Sequence, residues 1–190
     1  MSGFEMFWRR NFLEAAPAGF SLRVVFYHRW VRFHSLPESK RYADNDMEYE
    51  IILRRASTLA SRVLGRGSDC WMVASYPNSE GEIVRYDYEI RTRFGLKESF
   101  FWTDPLEEPE DQFKWIAYSS ACVWRERDFD AAIKRVADDI EPAVLWISKG
   151  SKAVFAPYDG GFDIILPTLE DVDVLSNEFS DWLSPHHDGF

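Results

Sequence analysis

The spacing of hydrophobic and polar positions changes several times along this chain, and each change predicts an element. Residues 3–16 carry Phe4, Phe7, Trp8 and Phe12 at helical spacing, and Pro17 and Gly19 end that helix. The stretch 23–34, RVVFYHRWVRFH, is β-branched and aromatic and predicts a strand, closed by Leu36-Pro37. A polar segment, SKRYADNDMEYE, then opens a second helix with Asp44 or Asp46 as its cap. Glu48 and Glu50 fall in its first turn and Arg62 and Arg66 near its end, an order that complements the helix dipole. Ile52, Ala56, Leu59 and Val63 form its buried stripe, and Gly65 and Gly67 stop it.

From residue 70 the period becomes two. Residues 70–76, CWMVASY, predict a buried strand. After a turn over 77–81, Val84, Tyr86, Tyr88 and Ile90 alternate with Arg85, Asp87, Glu89 and Arg91, which predicts a second strand in a hairpin with the first. Residues 102–111, WTDPLEEPED, predict an exposed loop, and 113–124 another strand. A helix over 126–140 buries Phe129, Ala132, Ile133, Val136, Ala137 and Ile140, with Asp128 as its cap. Three short strands follow, 144–148, 153–158 and 162–166. They are turned by Lys149-Gly150-Ser151 and by Asp159-Gly160-Gly161, and Pro157 marks an edge or a bulge. Thr168 and Asp171 read as a capping box for a last helix whose stripe is Val172, Leu175, Phe179 and Trp182. Residues 184–190 read as a frayed tail. The order predicts one α+β domain over 1–190, mainly an antiparallel sheet covered by helices.

Composition narrows the class. Aromatic residues reach 16%, which excludes a disordered chain. No apolar run approaches the ~18–20 residues of a membrane helix, and Glu5, Arg9 and Arg10 break the pattern of a signal peptide. A cytoplasmic location is expected, with Cys70 and Cys122 as buried free thiols, no disulfide between them and no structural metal. Charge is unevenly spread. Residues 1–103 hold 15 Lys and Arg against 13 Asp and Glu, whereas 104–190 hold 7 against 19. The acidic half disfavours nucleic acid and anionic membranes and favours a basic protein partner.

Motifs for chemistry are few. The sequence lacks a phosphate-binding loop, a Gly-x-Ser-x-Gly elbow and a His-Glu-x-x-His pair, and implies no cofactor. His28 and His34 share one face of the first predicted strand, as a base and its partner would. His186-His187 fits a disordered tail better than a metal site. Asp159 and Asp163 flank a glycine turn without the further oxygen ligands of a calcium loop.

The run Tyr158-Asp159-Gly160-Gly161-Phe162-Asp163-Ile164-Ile165-Leu166-Pro167, followed by Asp181-Trp182-Leu183, resembles the end of a bacterial family of uncharacterised proteins. Members of that family carry a Tyr-Asp-x-x-Gly-x-Asp-Ile-Ile segment and then a helix ending in Asp-Trp-Leu. The start, Phe7-Trp8-Arg9-Arg10-Asn11-Phe12, is similar as well. The resemblance brings no catalytic residues. More loosely, small acidic bacterial proteins of this type resemble immunity proteins that neutralise secreted or contact-delivered toxins.

Two classes of function follow. The first is a non-catalytic interaction protein, an immunity protein blocking a toxin domain such as a nuclease. Its carboxylates would occupy a basic groove: Asp104, Glu107, Glu108, Glu110 and Asp111, with Trp102 as an aromatic anchor. The second is an enzyme with a His and carboxylate site, its candidates His28, His34 and Asp163. A deep pocket joining a histidine to a carboxylate favours the second, and a flat or convex acidic face the first.

Overall fold

A computed structural model describes residues 1–13, 15–78, 89–103, 114–141 and 143–183. These residues form a single antiparallel sheet with helices on both faces, the α+β architecture that the pattern predicts. The helices are α1 (Gly3–Asn11), α2 (Gly19–Val25), α3 (Asp46–Leu64), α4 (Glu89–Arg93), α5 (Asp130–Ala137) and α6 (Leu169–Glu178). The strands are β1 (Trp30–His34), β2 (Asp69–Pro77), β3 (Lys97–Thr103), β4 (Lys114–Val123), β5 (Ala143–Ser148), β6 (Val154–Tyr158) and β7 (Gly161–Ile165). Their order across the sheet is β1-β7-β6-β5-β2-β4-β3.

Strand alternation explains the two cores. Met72, Ala74 and Tyr76 of β2, Trp146 of β5, Phe155 of β6 and Phe33 of β1 face one way and bury the stripe of α3 (Ile52, Ala56, Leu59, Val63) together with α5 and Leu175 of α6. Val73, Leu145, Ile147, Val154, Ala156 and Ile165 face the other way, against Phe4 and Trp8 of α1 and Leu22 of α2. A sheet covered on both sides makes its central strands apolar throughout, which is why residues 70–76 read as a continuous hydrophobic run.

Several expectations change. The first helix ends at Asn11 rather than 16, and Gly19 opens α2 instead of closing α1. Ile140 lies beyond the end of α5 and is exposed rather than buried. The segment 23–34 is not one strand: α2 and a 3-10 turn (Tyr27–Arg29) occupy its first part, and the strand begins at Trp30. Leu22 has to reach the sheet from a helix that starts after Ala18, and that packing overrides the β-branched run. The hairpin of 70–76 with 84–90 does not form either. β2 is flanked by β4 on one edge and β5 on the other, and Ile90 and Arg91 are helical in α4; residues 79–88 lie outside the described residues. α3 is capped by Asn45, whose side chain accepts the Glu48 amide, with Asp46 already inside the helix. α5 is shorter than predicted and has Phe129, not Asp128, at its cap position; Arg127, at φ +72, reaches forward to Asp130 instead. The capping box of α6 is present as predicted, with the Thr168 hydroxyl accepting the Asp171 amide at 3.1 Å. Among the described residues no helix is long and apolar enough to cross a membrane.

Candidate functional site

A depression of about 580 Å³ lies at the end of the sheet where β1 and β6 finish and β5 and β7 begin. α2 supplies Phe20 and Arg23 to its wall, the β6–β7 turn supplies Tyr158 and Asp159, and β1 supplies Arg32 and His34.

Arg32 and Asp163 face each other directly in the β1–β7 register. Arg32 Nε donates to Asp163 Oδ1 at 2.8 Å and Nη2 to Oδ2 at 2.9 Å, while Trp30 Nε1 donates to Oδ1 at 2.9 Å. The guanidinium lies over the Tyr158 ring at 4.4 Å and the Trp30 ring at 5.3 Å. Both charged side chains are buried, at 9% and 4% exposure. Burial pulls the Arg32 pKa down, but the hydrogen bond to Asp163 and the surrounding negative charge outweigh it, so the net direction is up. Tyr158 is pushed up to about 12, mainly by burial, with Arg32 opposing.

Two other carboxylates of the cleft, Asp159 and Glu141, are also engaged inside the protein. Asp159 Oδ2 accepts from Arg41 Nε at 2.5 Å and Tyr42 Oη at 2.9 Å, which fastens the segment before α3 to the β6–β7 turn. Glu141 accepts from Tyr76 Oη at 2.8 Å and Arg135 Nε at 3.0 Å. Gly161 is required where it stands, since a Cβ there would meet the Phe33 carbonyl oxygen at 2.1 Å. The Tyr-Asp-Gly-Gly-Phe-Asp run is therefore a fastening: a tight turn with two ion pairs that lace β1 and the approach to α3 onto the meander.

The histidines separate. His28 is exposed in the 3-10 turn with its ring against Tyr27, so it shares no strand face with His34. His34 lies at the rim of the cleft, its Nε2 3.1 Å from Ser39 Oγ and its carbonyl accepting from Arg55 Nη1 at 2.9 Å. Glu38 and Ser39 both have positive φ, 56° and 57°, in the turn that presents this hydroxyl. Asp163 borders the same cleft with both oxygens engaged by Arg32 and Trp30. The structure thus brings His34 and Asp163 to one cleft and leaves His28 outside it.

The predicted interface residues fare differently. Trp102 is buried at 9% exposure and stacks on Trp115 at 5.1 Å, with Phe20 6.4 Å away. It is part of the core beneath α1 and α2 rather than an exposed anchor, because its alternation on β3 points it at that face. Asp104, Glu107, Glu108, Glu110 and Asp111 lie outside the described residues, as do His186 and His187. Arg32, Arg41 and Glu141 went unnoticed in the sequence; the alternation of Trp30, Arg32 and His34 along one strand face is a signal that could have found the first. Among the described residues no group of three or more His, Cys, Asp or Glu side chains converges as metal ligands would.

An α+β domain with a laced sheet end and a cleft beside it is thus the class that fold and site define. Residues 19–187 match the family described as a domain of unknown function, DUF3885, and the chain belongs to that family. No curated protein and no solved structure matches it.

Proposed function

We propose that this protein is a non-catalytic interaction protein that docks a basic protein partner through its acidic C-terminal half, and that its role is that of an immunity protein neutralising a toxin domain such as a nuclease. One observation carries the reading: α6 is acidic and turned outward. Of its ten residues only Leu175 is buried, while Glu170, Asp171, Asp173 and Glu178 are exposed, with Leu169 at 60% and Val174 at 48% exposure between them. Asp181, in the 3-10 turn that follows, extends the same charge. A nuclease groove that binds polyanions is basic, so such a face attracts it from a distance and excludes the nucleic acid once seated. The segment with Asp104, Glu107, Glu108, Glu110 and Asp111 is a second source of the same charge.

The test is neutralisation. The protein is co-expressed with a basic nuclease toxin domain, and nuclease activity and complex formation are measured. Inhibition that weakens with salt and with Glu170→Gln/Asp173→Asn/Asp181→Asn supports the reading. Full toxin activity in the presence of folded protein rejects it.

A second reading rests on the His34–Ser39 contact of 3.1 Å at the cleft rim, which is within reach for a base and a nucleophile. Under that reading a fluorophosphonate labels Ser39, and His34→Ala abolishes the labelling. Absence of labelling on folded protein rejects it.

A further inference from the structure

Cys70 and Cys122 are far apart in sequence, yet they are direct register partners on the adjacent strands β2 and β4. Both side chains belong to the face covered by α3 and α5. Backbone bonds at the two ends of this ladder set its alternation: Trp124 N–H donates to Ser68 O at 2.9 Å, and Asn78 N–H to Lys114 O at 2.7 Å. Counting inward by twos makes Cys70–Cys122 a hydrogen-bonded pair, with Cα atoms about 5.5 Å apart. That spacing falls inside the disulfide window of about 4.4–6.8 Å. Opposed Cβ atoms in a sheet stand about 4.5–5.5 Å apart, against about 3.8 Å in a disulfide, so closure draws the strands together and leaves a strained, easily reduced bond. Cys70 is fully buried, whereas Cys122 is half-buried and opens onto a shallow depression of about 560 Å³ with Asp69, Phe94, Arg125, Asp128 and Lys149 around it.

We propose that Cys70 and Cys122 form a redox modification site, in which a peroxide or a low-molecular-weight disulfide entering at Cys122 converts the dithiol into a reversible cross-strand disulfide. With hydrogen peroxide, the Cys122 thiolate attacks one oxygen, the O–O bond breaks, and the departing hydroxide takes up a proton as water, leaving a sulfenic acid. The Cys70 thiolate then attacks that sulfur, the S–O bond breaks and a second water leaves. Two thiols and one peroxide become one disulfide and two waters. With a glutathione disulfide the intermediate is the mixed disulfide on Cys122, and two reduced glutathiones leave. Burial holds both thiols well above their ordinary range, Cys70 at about 11 and Cys122 at about 12, although Lys149 opposes the rise at both. The thiolate fraction is correspondingly small and the reaction slow.

The experiment treats the full-length reduced protein with hydrogen peroxide and, separately, with oxidised glutathione, followed by intact-mass analysis and thiol alkylation after denaturation without reductant. The expected product is a monomer about 2 Da lighter with no alkylatable thiol, reversed by dithiothreitol, with one peptide pair joining Cys70 to Cys122. Cys70→Ser is expected to stop at a sulfenic acid or a glutathione adduct on Cys122, and Cys122→Ser to leave Cys70 unmodified. Two thiols still alkylatable in the treated protein, oxidation to sulfinic acid without a cross-link, or linkage only between molecules would each overturn the proposal.

Discussion

Asp163 lies at 4% exposure and accepts three hydrogen bonds from Arg32 and Trp30, whereas Asp173 stands in solvent on α6. The difference holds for their neighbours. Asp159 and Glu141 are bound to cations and phenols of this same chain, while Glu170 and Asp181 lie on the outer surface. Net charge counts these groups alike, but only the second set faces solvent. A buried carboxylate is retained when its neighbours return what desolvation costs; an exposed one acts mainly through its field.

Removing a carboxylate should therefore cost folding energy at the sheet end and association rate on α6. Asp163→Ala takes from the buried Arg32 its bidentate carboxylate, and a loss of about 3–5 kcal/mol is expected in urea unfolding. Replacing both partners together, Arg32→Met with Asp163→Leu, should recover much of that loss, since two apolar groups leave no buried charge. A loss below about 1 kcal/mol for Asp163→Ala would show that the pair does not hold β1 to β7.

Trp182 tests where the sheet-end unit stops. The sequence pattern puts it in the buried stripe of the last helix, but it lies half-buried in a 3-10 turn, against Phe179 at 4.9 Å and beneath Arg55 at 4.9 Å. Trp182→Ala should cost about 2 kcal/mol, roughly half the range for a fully buried tryptophan.

Alkali sharpens the same contrast. The Tyr158 phenol titrates at about 12 in the folded chain, raised from 10.0 mainly by burial. In the unfolded chain it ionises first, so its contribution is complete below pH 10.0 and is lost as pH rises to about 12. Urea midpoints should fall across that interval. Tyr158→Phe should show a shallower fall, the remainder coming from Cys70 and Cys122, whose thiols are raised in the same direction. An identical fall in the variant would mean that Tyr158 is solvated.

Much of this molecule is legible in its sequence, and the exceptions have physical causes. The α3 stripe, the β5–β6–β7 meander and the α6 capping box follow from local rules, because their neighbours in space are also neighbours in sequence. α2 is not legible, because its apolar face is chosen by a sheet built mostly from later residues. The pairing of β2 is equally remote: nothing in residues 70–76 tells that β4 and β5 will take its two edges. At the cleft, the Tyr158 to Asp163 run is recognisable as a motif, and its turn is read correctly from Gly161. Its partners Arg32 and Arg41 come from the other end of the chain and carry no local mark. The register of Cys70 with Cys122 is hidden for the same reason, since neither segment specifies its partner.

The α6 face is where stability and association should part most clearly. Glu170→Gln/Asp173→Asn/Asp181→Asn should leave stability within about 0.5 kcal/mol of the parent chain, because these side chains lie on the surface. The deciding measurement is the association rate of the parent and this triple variant with a basic nuclease toxin domain, taken over a series of salt concentrations. Screening shortens the reach of the field to about 8 Å at physiological salt, so the parent rate should fall steeply as salt rises. At low salt the variant should associate about tenfold more slowly, with a shallower salt dependence and an unaltered fold. Equal rates for the two folded proteins, with the same dependence on salt, would contradict the account and place the interface elsewhere.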